Sequence, residues 1–393
     1  MVQRDPPTAA RISERVRGIK PQRIRVMFDL AAQQDGDLVH LELGEPDFDT
    51  PEHIVDAAAH AARTGHTKYT ANAGIRPLRE AITETVDPSL DPDREVIVTS
   101  GGVEALHLAI HTVANPGEEI VIPTPAWPNP ISQARLAGAN PVEVAMPASD
   151  GFAPDPDPIV DAIGPDTAAV VVTSPSNPTG QLFPEPALEA VLDAAVANRA
   201  YVIADEVYRQ LTYMDPPQRA AALADDPSWV LSVNSCSKTY AMTGWRVGWL
   251  TGPADVVGEM TKIHESTTSC VNTPAQHGAI AALTGPTEPV DEMKDAFHAR
   301  RDFVVDRLQS VPHVEAAVPE GAFYAFVDVS ALPGTSMDIA KQLLREYEVV
   351  TAPGDAFGAA GEDHVRLSFA NERERLALGL DRFERMIQDS LVT

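Results

Sequence analysis

The chain has 393 residues, room for one large and one smaller domain, and its 44% hydrophobic and 22% charged side chains are the balance of a soluble globular protein. Thirty basic side chains against fifty-seven acidic ones leave a formal net charge of −27, which disfavours nucleic acid or anionic lipid as a partner. No apolar run approaches the ~18 residues that cross a bilayer, and the two cysteines, Cys236 and Cys270, exclude a disulfide framework or a cysteine-built zinc site.

The chain opens MVQRDPPTAARISERV, which lacks the apolar core of a secretory signal, so a cytoplasmic protein is expected. The first 47 residues are punctuated by Pro and Arg and are expected to join a smaller C-terminal region. From about 48 to 285 short apolar runs alternate with helix-like stretches, the pattern of a mostly parallel sheet flanked by helices in an α/β domain. Strands are predicted at Val96–Thr99, Glu119–Ile122, Ala168–Thr173, Tyr201–Ala204, Val230–Asn234 and Val247–Thr251. Most are continuous β-branched runs, as in strands covered on both faces. Helices are predicted at Gly102–Ala114, Glu185–Asn198 and Ala275–Leu283. Residues 286–393 read as a smaller α+β domain, with helices near Glu288–Gln309, Ser336–Tyr347 and Glu372–Ile387 and hairpin-like runs at Ala322–Val329 and Val365–Phe369.

Polar residues cluster at the carboxyl ends of four of these strands, where an open α/β sheet forms its ligand crevice. After Val96–Thr99 comes Ser100-Gly101-Gly102-Val103, a strand, two glycines and a helix start. That arrangement points free amides at an anion, although a plain tight turn uses the same residues. After Ala168–Thr173 comes SPSNPTG (174–180), in which Asn177 sits before a proline. Its amide is held rigidly for a ligand oxygen, or it simply makes a turn. Asp205 ends the apolar run YVIAD, so its carboxylate needs a cationic partner such as a protonated pyridine nitrogen, unless it caps a following helix. Lys238 follows Ser235-Cys236-Ser237 at the fourth end. A desolvated amine there has a lowered pKa and is nucleophilic, as Schiff-base chemistry requires. Arg246, eight residues on, can grip a phosphate bidentately. Together these residues are the equipment to hold a phosphorylated pyridine aldehyde.

The motifs, in order, are LELGEPDFDTPEHI (41–54), KYTANAGIRPLREAI (68–82), TSGGVEAL (99–106), PTPAWPNP (123–130), SPSNPTG, ADEVY (204–208), SCSKTYAMTGWRVG (235–248), GAFYAF (321–326) and HVRLSFA (364–370). Along essentially its whole length the chain resembles the class I/II aminotransferases, archaeal and bacterial branch, which have the aspartate aminotransferase fold. The resemblance implies a pyridoxal-5′-phosphate-dependent transferase of fold type I, with a larger domain over 48–285 and a smaller one from 1–47 and 286–393. It implies that Lys238 carries the cofactor as a Schiff base and then moves the substrate α-proton. Asp205 would pair with the ring nitrogen, Asn177 and Tyr208 with the ring hydroxyl, and Trp127 would stack on the ring. Gly101, Gly102 and Val103, with Ser235 and Arg246, would hold the phosphate. Tyr69 would reach the phosphate of a second subunit, so a homodimer with shared sites is implied. Arg366 would bind the substrate α-carboxylate, helped by Asn177 and the backbone at Gly44. No metal is implied.

The expected reaction is ping-pong transfer of an α-amino group from an L-amino acid to a 2-oxo acid, 2-oxoglutarate above all. Bacterial aspartate-preferring relatives often have lysine where this chain has Val103, and the animal-type distal arginine has no match in Ser266–Ala275. Arg23 or Arg25 could supply the cation for a distal carboxylate, although such arginines are more often simply solvated, so aspartate, alanine and aromatic donors all stay open. The alternative is another reaction of the same cofactor, such as a C–S β-lyase. A DNA-binding regulator would need a further basic segment, and neither dinucleotide-loop nor P-loop motifs occur.

Only six of the thirty basic residues are lysine. Scarce lysine with an acid excess fits a protein kept soluble in high salt, where self-repulsion is screened; a GC-rich genome would explain the lysines but not the acids.

Overall fold

The computed structural model describes residues 12–391. Residues 1–11, most of the stretch read above for a secretory signal, lie outside the described residues. After the two-residue strand β1 (Val39–His40), seven strands build the main sheet: β2 (Val96–Thr99), β3 (Glu119–Thr124), β4 (Asn140–Ala145), β5 (Thr167–Thr173), β6 (Tyr201–Asp205), β7 (Val230–Ser235) and β8 (Gly248–Thr251). Their order is β2-β8-β7-β6-β5-β3-β4, with only β8 antiparallel to its neighbours.

The β-branched runs are buried on both faces, as their composition predicts. In β5, Val170 and Val172 pack with the helix Glu185–Ala197 on one face, while Val171 packs with Leu106 and Ala109 of the helix Gly102–Val113 on the other. The period of two along the strand assigns them to opposite cores.

Edge strand β4 escapes sequence reading. Its NPVEVA is half-exposed and carries Pro141, which an edge tolerates because the missing N–H disrupts no inner ladder. Helices Glu52–Arg63, Arg76–Val86, Asn129–Ala137 and Ala254–Thr267 were likewise not expected. The last contains Gly258 and several β-branched residues of low helix propensity; burial of Val257 and Met260 against the sheet supplies what propensity lacks.

The second sheet is made by β9 (Glu315–Ala316), β10 (Tyr324–Asp328), β12 (Ala352–Pro353) and β13 (His364–Ser368), all antiparallel in the order β12-β13-β10-β9. The runs expected to be hairpin-like do pair, β10 with β13, but the helix Ser336–Tyr347 intervenes, so no tight turn joins them. β11 (Val349–Val350) pairs in parallel with β1. The N-terminal helix Arg23–Ala31 packs Met27 and Ala31 against Met337, Ala340 and Leu344, which ties the start of the chain to its C-terminal part.

Candidate active site

Because β8 runs against its neighbours, its first residue lies level with the last residues of β2 and β7: Gly248 is in register with both Thr99 and Ser235. The segment before β8 therefore delivers Arg246 to the sheet edge where β2, β5, β6 and β7 end. There a cavity of about 340 Å³ opens, within the size range of small-molecule sites. Sequence-predicted residues Gly44, Gly102, Val103, Trp127, Asn177, Asp205, Tyr208, Ser235, Lys238, Arg246 and Arg366 all line it.

One end of the cavity is an anion cradle. Gly101, at φ +78°, turns the chain from β2 into the helix Gly102–Val113, whose first amides have no intrahelical acceptor. A Cβ on Gly101 would lie 2.3 Å from Nη2 of Arg246, and a Cβ on Gly248 would lie 2.6 Å from the carbonyl carbon of Gly101 and 2.7 Å from the Gly102 nitrogen. Arg246 itself holds a left-handed backbone at φ +56°, and its guanidinium donates to the carbonyls of Thr243 (2.7 Å) and Ser100 (3.3 Å). Such a conformation in a residue with a side chain is a strain that packing must hold in place. Buried Ser235 donates to the carbonyl of Val247 at 3.1 Å, closing the cradle's far wall.

In the middle, Lys238 and Asp205 face each other across the cavity. The Lys238 ammonium donates to the carbonyl of Gly44. Burial lowers its pKa to about 8, helped by the cations Arg366 and Arg246 and opposed by Glu45 and Asp205. Asp205 is 6% exposed and accepts one hydrogen bond, from the Val207 amide at 3.3 Å. Burial pushes it up to about 6; the Val207 bond opposes this, Glu206 adds to it and Lys238 opposes it. No helix follows Asp205, which removes the capping alternative. Its neighbour Glu206 is the structural acid, paired with Arg219 at 2.6 Å and receiving the Asn234 amide at 3.3 Å.

The other end holds a buried cation. Arg366, 2% exposed, donates through Nη1 to Asn177 Oδ1 at 2.8 Å and through Nη2 to the carbonyl of Glu42 at 2.5 Å. Its guanidinium lies between the rings of Tyr324 (4.3 Å) and Phe357 (5.0 Å). Tyr324 is the main residue that sequence reasoning did not assign, although GAFYAF contains it. Its hydroxyl sits 2.8 Å from that of Tyr208, and burial raises the pKa of both phenols. Glu42, inside LELGEP, and Ser237 were missed in the same way, since only tertiary contact shows that they face the cavity.

Tyr69 lies outside the cavity and is 91% exposed. The two candidate distal arginines separate: Arg23 is paired with Asp355 at 2.7 Å, whereas Arg25 lines the cavity, its guanidinium 4.4 Å from the centre of the Phe28 ring and in an exposed ion pair with Asp29 at 3.3 Å. Among the described residues no group of three or more His, Cys, Asp or Glu could hold a metal, and no helix is long and apolar enough to cross a membrane.

A phosphorylated pyridine aldehyde fits these walls. The glycines let the Arg246 guanidinium and the backbone of three segments close in on the free amides of the helix start, burial brings the amine's pKa down to about 8, and the buried acid has no cation fixed against it. The sequence profile of aminotransferase class I and II matches residues 36–383. An aspartate aminotransferase from Pyrococcus horikoshii is 37% identical over 382 residues, covering 96% of this chain and 97% of that protein. The solved aspartate aminotransferase from Thermus thermophilus with maleate superposes at a TM-score of 0.91, with 38% identity over 96% of this chain and 100% of that one. Alanine aminotransferase from Pyrococcus furiosus does so at 0.92, with 32% identity over 96% and 100%. The chain thus has the aspartate aminotransferase fold and belongs to the class I and II aminotransferases, enzymes that depend on pyridoxal 5′-phosphate.

Proposed function

We propose that the enzyme moves the α-amino group of L-aspartate to 2-oxoglutarate in two alternating half-reactions. The observation that carries this reading is the convergence of Lys238, Asp205 and Arg366 on one cavity: an amine, a buried acid and a buried fork of donors. When bound, pyridoxal 5′-phosphate supplies an aldehyde that bonds to amines and a cationic ring that draws electrons from the adjacent Cα–H bond.

Gly101, Gly102 and the Val103 amide hold the phosphate at the helix start, with Ser235 and Arg246. Trp127 covers the ring face, and Asn177 and Tyr208 hydrogen-bond its hydroxyl. Asp205 holds the proton on the ring nitrogen. A carboxyl raised mainly by burial would fall once a cation is seated against it, so the bound ring would favour the ion pair. Arg366 takes the substrate α-carboxylate between its two amino groups, steadied by Asn177 and the backbone at Gly44. Lys238 Nζ would be the group that takes up the substrate α-proton and hands it back within the site. With a pKa of about 8 it is neutral often enough near neutrality to act as a general base.

Aspartate is favoured over alanine and aromatic donors because the Pyrococcus horikoshii relative is named for it and because Arg25 lines the cavity. A cytoplasmic homodimer completes the reading, in which exposed Tyr69 serves the phosphate site of the partner subunit. Residues 48–285 would form the larger unit, and 1–47 with 286–393 the smaller, Arg366 and Arg25 coming from the second and Lys238 from the first.

An absorbance titration of the purified holoenzyme with single amino acids tests this. Aspartate should convert the bound cofactor to its pyridoxamine form at the lowest concentration. Release of ammonia and pyruvate without an acceptor would replace this reading with a lyase.

A further inference from the structure

Glu42 has no part in the reaction just described, yet it is 0% exposed on the cavity wall. Its Oε1 meets Nδ1 of His40 at 2.8 Å, while Oε2 is buried without a partner. Its own carbonyl accepts Arg366 Nη2, and Arg366 Nε is likewise buried without a partner. A buried carboxylate with half its acceptors unused is costly unless a nearby cation offsets it. Arg366 is that cation: burial lowers its pKa, and Tyr324, Tyr208 and Glu42 oppose that fall.

His40 connects this buried pair to solvent. Its side chain is 41% exposed. The Glu42 hydrogen bond raises its pKa above the ordinary 6.5, burial opposes this, the Glu42 charge adds to it and Arg375 opposes it. The charges acting on the pair are Arg366 from β13 and, from the helix Arg373–Leu391, Arg375, with Arg382 of the same helix bonded to the carbonyl of Asp37. Arg375 is tied to Asp37 at 2.8 Å and Arg382 to Glu348 at 2.8 Å.

We propose that His40 and Glu42 form a proton-controlled counter-charge behind Arg366. With His40 neutral, the Glu42 carboxylate weakens the attraction of Arg366 for a substrate carboxylate; with His40 protonated, Glu42 is neutralised and that attraction returns. Glu42 and His40 are positioning residues that touch neither substrate nor cofactor, and the proposal rests on reading Arg366 as the carboxylate holder. The coupling is reciprocal, so a bound carboxylate makes His40 hold its proton more tightly.

The test is calorimetric binding of propionate, a carboxylate with no amino group or second charge, to Lys238→Ala enzyme loaded with pyridoxamine 5′-phosphate, from about pH 5.5 to about pH 8.5; the substitution removes the cavity amine that would itself titrate near 8. With His40 and Glu42 intact this enzyme should bind more tightly as pH falls, with a step centred above 6.5. Glu42→Gln should bind roughly tenfold more tightly at the alkaline end, with the step gone. His40→Gln should lose the step and stay at the weak level, and its half-exposed position keeps the test open should Glu42→Gln not fold. Arg366→Gln should lose binding at every pH. A step retained in His40→Gln, or affinity unchanged or weaker in Glu42→Gln, overturns the counter-charge while leaving Arg366's role standing. Full propionate affinity in Arg366→Gln would remove both.

Discussion

At the residue scale the chemistry reduces to how much water each charged group has lost. Lys238 and Asp205 are both moved toward neutrality by burial, the amine to about 8 and the acid to about 6. A neutral amine is the form that condenses with an aldehyde, so cofactor-free enzyme should bind pyridoxal 5′-phosphate faster as pH rises, with a midpoint near 8. Stopped-flow reconstitution across pH checks this, and a midpoint near the ordinary lysine value of 10.5 would contradict it. Removing either group outright is more drastic. Lys238→Ala and Asp205→Ala should each lower turnover by about 10³-fold or more while the purified protein stays folded, as steady-state assays beside circular dichroism would reveal. Arg25 answers a different question. Arg25→Ala should raise the KM for aspartate about tenfold and leave alanine almost unaffected, since one charge pair across a half-wet cavity contributes about 1–2 kcal/mol. Equal losses for both donors would assign Arg25 to folding or closure instead.

At the element scale the phosphate cradle depends on three strands meeting without side chains between them. Gly248 opens β8 against the Gly101–Gly102 backbone on one side and the Asn234 carbonyl, 2.8 Å from a virtual Cβ, on the other. Backbone on both sides cannot step aside as a flexible side chain would. Gly248→Ala should therefore cost about 1–3 kcal/mol of stability and weaken cofactor affinity at least about tenfold. Thermal unfolding and equilibrium cofactor binding measure the two effects. Unchanged cofactor affinity would show that the cradle does not rely on this contact. The buried pair Glu206–Arg219 works at the same scale: it satisfies the acid next to Asp205, so that of these two adjacent carboxyls only Asp205 lines the cavity.

At the scale of the whole molecule the net charge of −27 dominates. Self-repulsion of that size opposes compaction at low ionic strength and is screened within a few ångströms at ~1 M salt. Activity and melting temperature should both rise with KCl toward molar concentrations; an activity optimum at low salt would exclude adaptation to a saline interior. The strand–helix alternation was legible because buried β-branched runs such as AAVVVT have little choice but an inner strand, and the chemistry-bearing residues were legible because they close those runs. Arg23 and Arg25 looked equivalent two positions apart; each has a carboxylate partner, Asp355 and Asp29, but packing places only Arg25 on the cavity wall. Tyr324 and Glu42 carry no local signal, as an aromatic in a strand and an acid in a loop are ordinary by themselves. Sequence alone determined the order of the buried inner strands and the chemical kinds of group at their ends, because hydrophobic period and turn residues are local properties. Only the tertiary structure decided which of those groups share one cavity and how far each is stripped of water, because burial is set by everything that packs around a residue and nothing next to it in the chain records that.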